Sequence, residues 1–116
     1  MKVKRIVSNV AASNPEDATI FYGSIFGLEL IMDHRWIKTF SSGEEMIAQI
    51  SIASEGGSGT PIPDLSIEVD DLDAILKRVK AQNIQIEYGP ASEPWGVRRF
   101  YVRDPFGKLI NVLQHE

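Results

Sequence analysis

A chain of 116 residues, 43% hydrophobic and 24% charged, is long enough for one globular core. Its formal charge of −4, from 16 acidic and 12 basic side chains, argues against nucleic acid as a partner, since that calls for a basic face. The absence of cysteine excludes disulfides and thiolate metal sites, and no apolar run approaches the roughly 18–20 residues of a bilayer span. Met1–Arg5 is too short and too quickly charged for a secretory signal, so a soluble cytoplasmic protein is expected.

Val3–Ala12 reads as a strand, with Ile6 and Val10 on one parity and Val7 and Asn9 on the other. Ser13-Asn14-Pro15-Glu16 has the form of a capping box, Ser13 and Glu16 satisfying each other's backbone N–H. A helix follows to about Phe26, its apolar stripe made of Ala18, Phe21, Tyr22 and Ile25, and Gly27 suits the left-handed position after it. Leu28–Asp33, Trp36–Ser41 and Glu45–Ala53 read as three strands, with Ser42-Gly43 turning between the last two. Residues 55–63 (EGGSGTPIP) form a linker-like stretch, flexible at its glycines and stiff at its prolines, read here as a joint.

Leu65–Val69 alternates as a strand, and Asp70 or Asp71 caps a second helix. That helix carries Leu72, Ile75, Leu76 and Val79, the first stripe repeated 54 residues on, and ends near Asn83. Ile84–Tyr88, Val97–Arg103 and Lys108–Gln114 complete three more strands, with Asp104-Pro105-Phe106-Gly107 as the last tight turn. Each half therefore reads β-α-β-β-β, and the repeat implies a groove between the halves. The helices need an apolar sheet face, which Leu65/Ile67, Phe100/Val102 and Ile110/Val112 supply. The opposite parity mixes polar and apolar groups, as a ligand-binding concavity does, although a partly wet outer face has the same pattern.

Phe21-Tyr22-Gly23-Ser24-Ile25-Phe26-Gly27-Leu28 resembles the FYxxxLGL signature of the vicinal oxygen chelate superfamily, which includes glyoxalase I, bleomycin-resistance proteins and extradiol dioxygenases. Val69-Asp70-Asp71-Leu72 resembles its second-helix entry, and the run from Trp95 to Gly107 resembles its WGxRxFxxxDPxG segment. The resemblance spans essentially the whole chain. It implies an α+β fold: two tandem βαβββ modules, about 1–54 and 64–116 around the 55–63 linker, forming a cupped eight-stranded mixed sheet with helices on its outer face, usually in a homodimer. It does not fix an activity, because the family contains both enzymes and simple binders.

Enzymes of this family hold a divalent metal through His, Glu or Gln on strands of both modules. The spacing assigns those positions here to Val7, Gln49, Asp64 and Asn111; Met46–Gln49 overlays Lys108–Asn111 at an offset of 62. One hydrocarbon, one carboxylate and two amides make a poor site for Zn²⁺, Ni²⁺ or Fe²⁺, and neither His34 nor His115 falls on a ligand position. No metal and no cofactor is expected; a hard ion such as Mg²⁺ completed by water is the alternative.

Trp95 offers a flat surface for stacking or for packing. Arg99 and Tyr101 share the cavity parity, where Arg99 holds an anionic ligand group or is simply solvated. Arg98, on the other parity, is read as structural, paired with an acid near the helices. Asp64, Ser66 and Glu68 share the cavity parity on one strand; buried together the two acids would raise each other's pKa, and on a hydrated edge they would not. The candidate ligand-binding residues are thus Gln49, Asp64, Ser66, Glu68, Trp95, Arg99, Tyr101 and Asn111. The reading that follows is a metal-free protein resembling the bleomycin-resistance branch, sequestering a planar or aromatic small molecule in a dimer groove. The alternative is an enzyme of the same family, a lyase, isomerase or dioxygenase, with an atypical or hard-metal site. Its catalytic residues are not assigned.

Overall fold

The computed structural model describes residues 8, 10–43, 51 and 53–116. The chain divides into two compact units, Met1–Ser54 and Glu55–Glu116.

In the first unit the expected capping box does not form. Pro15–Asp17 is a 3-10 turn capped by Asn14 without a side-chain bond, and the Glu16 carboxylate reaches Lys38 Nζ at 2.9 Å instead of turning back toward Ser13. Thr19–Ile25 then winds as a π-helix, wider than the α-helix the stripe predicts. The stripe still does its work: Ala18, Phe21 and Ile25 are buried, and the Phe21 ring meets Tyr22 edge-on at 5.0 Å. Gly27 adopts φ +68°, which a glycine takes without steric cost.

Strand β1 (Glu29–Asp33) pairs antiparallel with β2 (Lys38–Ser41). β2 begins two residues later than Trp36 because residues 33–38 are taken by a turn. The Asp33 carboxylate accepts from Arg35 N–H at 2.9 Å and Lys38 Nζ at 2.7 Å, and His34 N–H donates to Ile37 O at 3.0 Å. Most of the strand expected over Val3–Ala12, most of that over Glu45–Ala53, and Val7 and Gln49 with them, lie outside the described residues.

The second unit is a four-stranded sheet in the order β3-β6-β5-β4: β3 (Leu65–Glu68), β4 (Ile86–Ser92), β5 (Val97–Arg103) and β6 (Leu109–His115). β3 runs parallel to β6; β5 is antiparallel to both its neighbours. The crossover from β3 is helix α1 (Leu72–Ala81), whose Ala74 N–H donates to the Asp71 carboxylate at 3.1 Å. Register pairs Leu65 with Ile110, Ile67 with Val112, and Phe100 with Val112, so the centre of one sheet face is apolar. Two bonds fix that face as the helix side: Arg98 reaches Asp73 at 2.8 Å, and Leu72 N–H donates to Gln114 Oε1 at 2.7 Å. Burying each large side chain here is worth about 1.5–3 kcal/mol, and Leu72, Val79, Phe100, Val102, Ile110 and Val112 are fully buried.

β4 runs on to Ser92, past the Tyr88 end that the sequence predicts. Two irregularities, between Ile86 and Tyr88 and between Tyr88 and Ala91, carry it through Gly89-Pro90. A proline is tolerated because, among the described residues, β4 is an edge strand with no second ladder to feed. The first irregularity also moves Tyr88 to the face opposite α1, where its ring lies 5.3 Å from Tyr101. Among the described residues there are six strands in two sheets, the other two expected strands lying mostly outside those residues, and no helix long and apolar enough to cross a membrane.

Candidate functional site

The sheet face turned away from α1 carries most of the candidate residues in two cross-strand rows. One row runs Ser66, Asn111, Tyr101, Tyr88; the next runs Glu68, Leu113, Arg99, Ala91. Adjacent strands lie about 4.8 Å apart, so each row spans roughly 15 Å.

On the β3–β6 side, Asn111 is buried and its Nδ2 donates to Ser66 Oγ at 3.1 Å. Asn111 Oδ1 is buried and has no hydrogen-bond partner among the described residues. Asp64 is exposed, and its Oδ2 accepts from Leu109 N–H at 2.7 Å. Glu68, also exposed, meets His115 Nδ1 at 2.8 Å. The two acids are therefore not buried together; each has its own partner at opposite ends of β3.

The β5–β4 side is closed by the stretch expected to be a flexible joint. Residues 56–61 fold back over β5 as a hydrogen-bonded loop: Gly56 N–H donates to Thr60 O at 2.9 Å, and Thr60 N–H to Gly57 O at 3.0 Å. Arg99 holds it there. Its guanidinium donates to Gly56 O at 2.8 Å, Gly57 O at 3.2 Å and Tyr101 Oη at 2.9 Å. Three rings surround it, those of Tyr88, Trp95 and Tyr101, at 5.4, 5.1 and 5.0 Å from the guanidinium carbon. Cation–π attraction of this kind strengthens where water is excluded, and Arg99 is only 3% exposed. Neither expectation for Arg99 describes this: it is not solvated, and its fork is spent on backbone carbonyls. Gly56 leaves no room for a side chain, since a Cβ would sit 2.0 Å from Pro61 O.

Glu93 completes the cluster and was not among the sequence candidates. Its buried carboxylate accepts from Ser58 and Tyr88 hydroxyls and lies 3.7 Å from Arg99 Nε. The hydroxyl of Ser58 first, then that of Tyr88, and also the Arg99 charge, hold its carboxyl below the ordinary value, while the Glu93 hydrogen bond pushes the Tyr88 phenol up. The only signal in the sequence is an acid two residues before Trp95; its partners come from a loop 35 residues away and from a strand irregularity. A carboxyl whose folded value is depressed contributes stability that is complete above its unfolded value, about 4.3, and fades as pH falls toward the folded one. Glu93→Gln should therefore flatten the acid limb of the melting temperature between pH 6 and pH 3 (a range of roughly three units around that value). An acid limb as steep as the parent's would remove Glu93 from this account.

Trp95 is half exposed, one part of its ring lying against Gly57 and Arg99. The structure thus brings Trp95, Arg99 and Tyr101 together under the loop, and Ser66 with Asn111 beside them. It sends Asp64 and Glu68 to other partners, and Gln49 lies outside the described residues. The donor set at the positions assigned to a metal does not fit one. An Asp64 oxygen is committed to Leu109 N–H, the Asn111 amide nitrogen is committed to Ser66, and a neutral amide oxygen is a weak donor to Zn²⁺ or Fe²⁺.

Solved structures with the same fold cover nearly the whole chain. TioX from Micromonospora sp. ML1 is 22% identical with a TM-score of 0.68, over 97% of this chain and 96% of that one. TnmS3, an antibiotic binding protein from Streptomyces sp. CB03234, is 22% identical with a TM-score of 0.63, over 100% and 97%. A lactoylglutathione lyase from Agrobacterium tumefaciens is 22% identical with a TM-score of 0.63, over 90% and 88%. No protein of curated function matches the chain. The family described as Glyoxalase/Bleomycin resistance protein/Dioxygenase superfamily matches residues 2–112, and the chain belongs to it.

Proposed function

We propose that this protein binds a small planar or aromatic molecule without a metal and sequesters it, acting as a homodimer built on the family's paired βαβββ fold with the ligand in a dimer groove. The observation that carries the reading is the fate of the chelating positions. Asp64 commits one carboxylate oxygen to Leu109 N–H, and Asn111 has only a neutral amide oxygen to offer, a weak donor to a metal, which favours hydrogen bonding and apolar contact over chelation on that face. Similarity to an antibiotic binding protein supports the same direction.

A thermal-shift screen against aromatic antibiotics and small dicarbonyl metabolites tests it. A true ligand at a hundredfold excess over its dissociation constant adds about 2.7 kcal/mol to stability, which raises the melting temperature by several degrees. Trp95→Ala and Gln49→Ala should then weaken binding roughly tenfold, the loss of one buried contact worth about 1.4 kcal/mol. Stoichiometric Zn²⁺, Ni²⁺, Fe²⁺ or Mn²⁺ surviving dialysis, with turnover of a screened metabolite, would replace binding with catalysis. Size-exclusion chromatography with light scattering checks the dimer.

A further inference from the structure

We infer that Asn111 is a specificity-determining residue whose Oδ1 accepts a hydrogen bond from an N–H or O–H group of a ligand that carries no negative charge, at a position the family resemblance assigns to a metal ligand. The inference deepens the binding reading above and rests on it. Asn111 is 8% exposed, and its Oδ1 is among the few buried side-chain atoms without a partner among the described residues. Native proteins satisfy nearly all buried polar atoms, so an orphan on a ligand-facing surface points to a partner supplied from outside.

The neighbours explain why that partner is a donor and why it is not an anion. The amide nitrogen is held by Ser66, which the parallel register of β3 and β6 places directly opposite, and this leaves the oxygen as the free end. Tyr101, the cross-strand neighbour on β5, has its hydroxyl engaged with Thr60 at 2.9 Å and cannot turn to Asn111. Asp64 offers only acceptors and is held by Leu109 N–H. Arg99, in the next row, carries a charge already faced by Glu93. Among the described residues of this face the charges are the carboxylates of Asp64 and Glu68 and the Arg99 guanidinium already faced by Glu93, so nothing there favours an anion, and a carbonyl oxygen repels other acceptors. Leu109 and Leu113 flank Asn111 along β6, so the donor is presented on an otherwise apolar body. A planar phenol or aromatic amide has this chemistry.

The experiment compares 2-naphthol with 2-methoxynaphthalene, the same ring system without the O–H donor, by ¹⁵N-detected NMR titration of the full chain. The native protein should prefer 2-naphthol by about tenfold, the value of one net hydrogen bond. Asn111→Leu should reduce that preference to within about twofold, and Asn111→Asp, which keeps an acceptor at the same place, should retain it. Without ligand, Asn111→Leu should melt at or above the native temperature, because it removes an unsatisfied buried atom. Equal binding of both probes to the native protein, or a preference that survives in Asn111→Leu, overturns the inference and leaves aromatic binding intact. A leucine variant that melts well below the native protein also overturns it. Failure of both probes to bind removes the binding reading and this inference together.

Discussion

Arg99→Ala should lower the melting temperature by about 10 °C or more and release the loop at residues 56–61. The substitution removes a charged donor from two backbone carbonyls and from Tyr101 Oη, and empties a space walled by three aromatic rings. It also leaves the Glu93 carboxylate buried beside a vacated position. Taking one partner from a buried pair costs about 3–5 kcal/mol, and each kcal/mol moves the midpoint of a domain this size by roughly 3–6 °C. Arg98→Ala provides the contrast from the next residue. Its bond to Asp73 joins side chains that are 35% and 75% exposed, and such a pair is worth about 0–1 kcal/mol. Arg99→Lys should not rescue the loss, since an ammonium cannot reach two carbonyls as a planar fork does. Thermal melts followed by circular dichroism read the stability. Amide exchange at Gly56 and Thr60, whose N–H groups close the loop, reads its release. An Arg99→Ala protein melting within about 2 °C of the parent, against the several kcal/mol expected, would mean that the clamp contributes little.

Gly89→Ala should destabilise the second unit by about 2–5 kcal/mol. Gly89 sits at φ +79°, where any L side chain is strained, and its Cβ would lie 2.5 Å from the Arg99 carbonyl oxygen and 3.2 Å from Phe100 Cα. Those atoms are backbone of the neighbouring strand, so no side chain can swing aside; β4 must move off β5. That movement would drag Tyr88 from its place on Tyr101 and Glu93. Gly107→Ala isolates the close approach from the dihedral strain. Gly107 has the same φ of +79° with nothing within 4 Å, so its substitution should cost only about 1–2 kcal/mol. Equal destabilisation by the two variants in a denaturant titration would show that the β4–β5 approach carries no energy of its own.

The apolar stripe of α1, the Asp71 cap and strand β5 stand where periodicity places them, because each depends on neighbours close in the chain. The two faces of the second sheet were equally legible: Arg98, Phe100 and Val102 turn toward α1, and Arg99 and Tyr101 turn away. The first helix was misjudged in type. Its capping box matched a local pattern, but Glu16 had a stronger partner in Lys38, which no local pattern reveals. The glycine-rich stretch looked like a joint for a similar reason. Glycine and proline advertise conformational freedom, and only Arg99 and Tyr101, more than 40 positions away, decide that the loop is pinned.

Motifs in the sequence alone carried the resemblance to the family and, through it, the poverty of donors at the positions the resemblance assigns to a metal, while the alternation of faces follows from a fixed strand period. Folding in three dimensions settled how those side chains are spent. It turned Arg99 into a clamp, gave Asp64 to a backbone amide, recruited Glu93 through an irregular edge strand, and left the amide oxygen of Asn111 without a partner among the described residues. Such outcomes depend on distances between residues far apart in the chain, where a difference of an ångström separates a hydrogen bond from none.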